Sequence, residues 1–156
     1  MRAAFALAVL VSTFVVARAT GVEFIRVWPQ WHSAESFDRI SEYFGGGENH
    51  GRQIVRRTHD DARAGYYFLV RVNDAAALGG ARFTVDIIRP DAPEARTFTF
   101  LAEAHAGATV FQLGLTGADW PGGEQAHPVA WKLTLTDTAG RTLAEEKSFL
   151  WEKPSK

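Results

Sequence analysis

The chain of 156 residues contains no cysteine at all. That excludes disulfide staples, thiol nucleophiles, iron–sulfur clusters and thiolate zinc sites, so the fold must rest on its apolar core alone. Net charge is also scarce: 17 basic residues face 18 acidic ones. General nucleic-acid binding needs a concentrated positive surface that displaces counterions, and this balance does not supply it. Methionine occurs once and proline six times. Apolar residues make up 46% and aromatics 12%, which is enough material for a packed core and argues against global disorder. The length suits one domain.

A long hydrophobic run is present only at the start. Arg2 precedes fourteen residues, Ala3 to Val16, broken only by Ser12 and Thr13. Ala17-Arg18-Ala19 then places small residues at the −3 and −1 positions of a signal-peptidase site. The run is too short for a membrane-spanning helix, which wants about 20 apolar residues, and its three-part layout is that of a secretory signal peptide. The sequence therefore predicts a cleaved leader at 1–19, a single domain at 20–156, no membrane span in the mature chain, and a periplasmic or secreted location. Without the leader the chain keeps 15 basic and 18 acidic residues.

Beyond Val22 the apolar residues recur with period two, the mark of strands with one buried face. Val22–Trp28 and Arg52–Thr58 are short strands. Gly65–Val72 is the strongest, with Tyr66, Phe68, Val70 and Val72 on one face and Tyr67, Leu69 and Arg71 on the other. Arg82–Ile88, Arg96–Leu101 and Ala108–Leu115 follow. Val129, Trp131, Leu133 and Leu135 alternate with Lys132, Thr134 and Thr136, and Asp137-Thr138-Ala139-Gly140 suits a hairpin turn. The returning strand changes face along its length, so a bulge is expected near Glu145-Glu146. One segment departs from this period: Phe37, Ile40, Tyr43 and Phe44 have helical spacing after Ser33 as N-cap, which predicts a helix at 34–44 ended by Gly45. The expected fold is mainly β, an antiparallel β-sandwich of about 7–8 strands with that one helix. The segment AWKLTLTDTAGRTLAEEKSFLW resembles the last hairpin of immunoglobulin-like and fibronectin-type domains. The resemblance spans about 22 residues and implies architecture, not function.

Three groups of residues carry candidate chemistry. Arg52, Arg56 and Arg57, with Arg63, form the densest basic stretch, and guanidinium forks suit phosphate, sulfate or acidic partners. The chain uses 13 arginines against four lysines and holds 24 alanines, so a general compositional bias accounts for the same residues, and Asp60 and Asp61 offset part of the charge. Trp120, in Ala-Asp-Trp-Pro-Gly-Gly, is the tryptophan expected to be exposed and able to stack on a sugar ring. Trp28 and Trp31, around Pro29-Gln30, are expected to fix the strand-to-helix connection. Glu48, His50, His59 and Asp60 (with Asp61) flank one strand, and folding it back would bring two imidazoles and a carboxylate within range of one metal ion. Their Gly-Gly-Gly-Glu-Asn-His-Gly and Thr-His-Asp-Asp contexts equally suit polar surface turns.

No Gly-x-Ser-x-Gly elbow or phosphate-binding loop is present. The expectation is an exported, non-catalytic binding or structural module of the cell envelope, without cofactor, engaging a protein partner or polysaccharide. A carbohydrate-binding module using tryptophan, and a metal carrier or metal-dependent hydrolase at His50 and His59, are the two alternatives.

Overall fold

The computed structural model describes residues 21–37, 53–73, 78–103 and 110–152. Eight strands lie in these segments: β1 (Phe24–His32), β2 (Gln53–Arg57), β3 (Gly65–Val72), β4 (Arg82–Arg89), β5 (Ala92–Leu101), β6 (Val110–Thr116), β7 (Ala130–Thr136) and β8 (Thr142–Lys147). They form two four-stranded sheets, β1-β3-β6-β2 and β5-β4-β7-β8. The protein is mainly β, as the alternation predicts.

The alternation of β3 explains how the sheets meet. Tyr66, Phe68, Val70 and Val72 face inward and are buried, beside Phe111, Leu113 and Leu115 of β6. Phe83, Val85 and Ile87 of β4 and Leu133 and Leu135 of β7 face them from the second sheet, and all belong to one apolar cluster. Phe83 joins the sheets directly, 4.9 Å from the Phe111 ring and 6.3 Å from Phe24. Each fully buried Phe or Leu of this set contributes about 1.5–3 kcal/mol, which is how a chain without cysteine holds together.

Three departures from the sequence pattern matter. The β2–β6 pair is parallel while the other five strand pairs are antiparallel. β2 reaches β6 from the far edge, after residues 33–52. In β1, the register shifts between Phe24 and Arg26, making Ile25 the extra residue. That bulge turns Val27, Pro29 and Trp31 toward the core side and leaves Trp28 49% exposed on the outer face. Pro29 sits inside β1 because an edge strand has backbone positions that need not donate to a neighbour. In the last hairpin, Thr136 pairs with Thr142 and Leu135 with Ala144, so the bulge lies at Leu143 and not at Glu145-Glu146.

Of the helix expected at 34–44, Ala34–Phe37 form a 3-10 turn and the remainder lies outside the described residues. Two further 3-10 turns occupy Gly117–Asp119 and Phe149–Glu152.

Candidate functional site at the Asp119 end of the sheets

β2 and β3 are not neighbours; β6 lies between them, so residues 58–64 must cross over its end. Two threonines fasten the crossing. Thr58 donates its amide to the Gly114 carbonyl (2.9 Å), and its hydroxyl accepts the Thr116 amide (3.0 Å). The fully buried Thr116 hydroxyl in turn accepts the His59 amide and donates to the His59 carbonyl, both at 3.0 Å. His59 is thereby held above Gly117, whose φ of +55° suits glycine. A Cβ there would approach the His59 ring to 3.2 Å.

The 3-10 turn after Gly117 then delivers Asp119. Its carboxylate meets His59 Nε2 at 3.1 Å through one oxygen and an Arg96 Nη2 at 3.0 Å through the other, with 17% of the side chain exposed. Arg96 comes from β5, in the opposite sheet. Arg89, from the end of β4, donates Nη1 to the Asp119 carbonyl (3.0 Å) and Nη2 to Asp91 Oδ2 (3.1 Å). The cluster therefore ties loops from both sheets together, and the groups with charge are largely occupied by one another.

Two donors are not. Arg89 Nε and Trp120 Nε1 are buried, and among the described residues neither has a hydrogen-bond partner. Trp120 is 4% exposed and tilts over Tyr66 with ring centroids 4.7 Å apart. The exposure expected of Trp120 is thus corrected: Tyr66, on the inner face of β3, draws the indole into the core. Between the 89–91 turn and Trp120-Pro121-Gly122 lies a cleft of about 40 Å³, bordered also by Ala126.

A second cluster occupies the outer face of the first sheet. Tyr67 alternates away from the core yet is fully buried. Its hydroxyl donates to the Arg63 carbonyl (2.6 Å) and accepts from Arg57 Nε (2.8 Å). Phe37 and His32 pack on its ring at 4.9 and 5.3 Å, and the Arg57 guanidinium lies 4.8 Å from the Phe37 ring centre. Burial lowers the His32 pKa and favours the neutral imidazole. Gly114 permits this arrangement, because any Cβ would run into the Tyr67 ring.

The sequence candidates are distributed as follows. Arg57 is engaged in the Tyr67 cluster, while Arg56 is half-buried and by strand alternation shares the face of Ile54. Arg52, Glu48 and His50 lie outside the described residues. His59 is beside Asp119, and Asp60 and Asp61 are exposed in the adjoining turn. Among the described residues, no group of three potential metal ligands gathers. Asp119, Arg89 and Arg96 were not singled out by sequence reasoning. Their one local signal is the adjacency of Asp119 to Trp120; the arginines arrive from a different sheet.

Compared with protein-family models, curated proteins and solved structures, the chain matches none. Among the described residues, no helix is long and apolar enough to cross a membrane.

Proposed function

We propose that the protein is an exported, non-catalytic binding module of the cell envelope, built as an immunoglobulin-like β-sandwich. The strand orders support the architecture. In such domains one sheet runs A-B-E and the other C′-C-F-G; β1-β3-β6 and β5-β4-β7-β8 follow that order, with β2 added beside β6. The leader-like segment at 1–19 supports export.

The observation that carries the binding reading is the Asp119 cluster. Its loops are cross-braced by His59, Arg96 and Arg89, a rigid frame of the kind that presents recognition groups. A nucleophilic triad built on His59 and Asp119 would require a hydroxyl on the imidazole. Here the Thr116 hydroxyl bonds the His59 main chain instead, and Arg96 takes the other Asp119 oxygen.

The test has two parts. Fractionation of the native host with N-terminal sequencing should find the protein in the envelope or medium, beginning near Thr20; a cytoplasmic protein with an intact leader contradicts export. The purified exported protein should then co-sediment with envelope fragments, and His59→Ala combined with Arg96→Ala should reduce the bound fraction severalfold. Equal binding of the variant, or none by the wild type, contradicts the binding reading.

A second reading is favoured by Trp28. Its ring is half exposed on the outer face of β1, with the Arg26 guanidinium 4.2 Å from its centre. An aromatic ring so presented can stack on a sugar, which moves the carbohydrate reading from Trp120 to Trp28. Retention on an immobilised envelope polysaccharide that survives Trp28→Ala removes this reading.

A further inference from the structure

Resting on the sugar reading of Trp28, we propose that the outer face of the first sheet binds an acidic polysaccharide, its charged groups held by Arg26 and Arg71. These two arginines stand directly opposite each other on the antiparallel strands β1 and β3, and both are exposed. Trp28 and Leu69 form the next opposite pair on the same face. The strands β1, β2, β3 and β6 together carry four arginines and not one aspartate or glutamate. In the second sheet, by contrast, Asp86, Glu94, Glu145 and Glu146 lie within the strands. Its Lys132 pairs with Asp86, and its Arg96 with Asp119. Among the described residues, neither Arg26 nor Arg71 has an ion-pair partner. Glu23 is the acid nearest to Arg26 in sequence. Its amide and carbonyl are bonded to Asn73, and its exposed carboxylate pairs with neither arginine.

Like charges directly opposite on neighbouring strands repel, and an anion placed between them relieves the repulsion. The positive face is not a consequence of net charge, since the chain has 18 acidic residues to 17 basic ones. The placing of Arg26 adds to the argument. Its guanidinium carbon lies 4.2 Å from the centre of the Trp28 ring. The ring steadies the cation from below, while the N–H edges of the fork stay free to grip a carboxylate or sulfate. Trp28 is 49% exposed with the guanidinium in place, which leaves indole surface for the apolar side of a sugar ring. Ile25, the exposed bulge residue beside Arg26, extends that apolar surface. The location selects the kind of ligand. Arg71, Leu69 and Trp28 lie within the flat of paired strands rather than on a protruding loop, so they meet a chain laid across the sheet and do not reach into a bilayer. Two cations beside one aromatic ring suit a polymer that offers both sugar rings and anionic groups.

The experiment measures retention of the purified protein on immobilised polygalacturonate and dextran sulfate, with methyl-esterified polygalacturonate and plain dextran as their neutral forms. At low salt, at least one acidic polymer should bind about fivefold tighter than its neutral form, and about 0.5 M salt should remove the difference. Arg26→Gln and Arg71→Gln should each lower that binding severalfold with Tm little changed, because neither arginine is held in an ion pair of the fold. Trp28→Ala should lower it as well. Arg82→Gln, which removes an exposed arginine from the second sheet, should bind as the wild type does. Equal binding to acidic and neutral polymers, an equal loss in Arg82→Gln, or acidic binding untouched by Trp28→Ala would each overturn the proposal. Equally tight binding to phosphatidylglycerol vesicles would overturn it too, by making the partner any anionic surface. The outcomes separate this proposal from the reading beneath it. Equal retention on acidic and neutral polymers that Trp28→Ala abolishes keeps the sugar reading and removes the acidic one, while retention on none of them removes both.

Discussion

Replacing Thr116 by valine changes almost nothing in shape and removes the hydroxyl that fixes the crossover of residues 58–64. In the native protein that hydroxyl accepts from the His59 amide and donates to the His59 carbonyl, at 3.0 Å each, from a fully buried position. The bonds from Thr58 to the Thr116 backbone remain, so the strands stay paired while His59 loses its tie. The His59 carbonyl keeps the Ala62 amide at 3.2 Å and loses one of two donors, about 0.5 kcal/mol. The His59 amide is left without its partner, about 1–1.5 kcal/mol at the lower end of the desolvation range because the His59 side chain is partly exposed; the total is about 1.5–2 kcal/mol. For a chain of this size that is a fall in Tm of roughly 6 °C. Urea and thermal unfolding followed by tryptophan fluorescence give the global number, and hydrogen exchange at the His59 amide gives the local one. Thr116→Ser keeps the hydroxyl and gives up one methyl group, about 0.8 kcal/mol. A valine variant that loses less than about 0.5 kcal/mol, or a serine variant as weak as the valine one, would refute the reasoning from these hydrogen bonds.

Three further outcomes are expected elsewhere in the fold. Gly117→Ala forces a side chain into positive φ at +55° and against the His59 ring, and should cost about 1–2 kcal/mol by urea denaturation. Asp137 accepts amides from Ala139 and Arg141 and pairs with the Arg141 guanidinium, and those bonds hold its pKa below the usual aspartate value, the Arg141 amide first among them. Its contribution is therefore present at neutral pH and lost as pH falls through about 4 and below. The protection of the Arg141 amide, its exchange relative to the intrinsic rate at each pH, should fall there in the wild type, while in Asp137→Asn it should already be low at pH 7. Glu146 has the opposite sign: burial raises its pKa, so its ionised form weakens the fold at neutral pH. Glu146→Gln should raise Tm at pH 7, with the gain vanishing once pH drops below the carboxylate range; an unchanged or lower Tm at pH 7 contradicts this.

Much of the sheet structure is legible in the sequence because alternation is a local signal. Gly65–Val72 reads as β3 to the residue, and the inward sets of β4, β6 and β7 follow from Phe83, Phe111 and Leu133 with their second neighbours. What is not legible is set at long range. The parallel pairing of Arg56 with Leu113 joins residues 57 apart and leaves no trace in the pattern of β2. The bulge at Ile25, which decides that Trp28 faces out, is fixed by pairing with β3 rather than by the residues of β1. Tyr67 reads as an outer-face residue, and is one, but its burial depends on Phe37 and Arg57. The site follows the same rule. Trp120 stands out in the sequence, yet its burial comes from Tyr66 and its cleft from Arg89 in the other sheet.

Recognition is proposed for the loops braced by Asp119. Mapping chemical-shift changes on the purified protein as solubilised envelope fragments are added tests that placement most directly. The largest changes should fall in residues 58–63, 89–91 and 117–122, with the outer face of β4 and β7, around Thr84 and Thr134, unmoved. Changes confined to that outer face, or no change at saturating fragment, would contradict it.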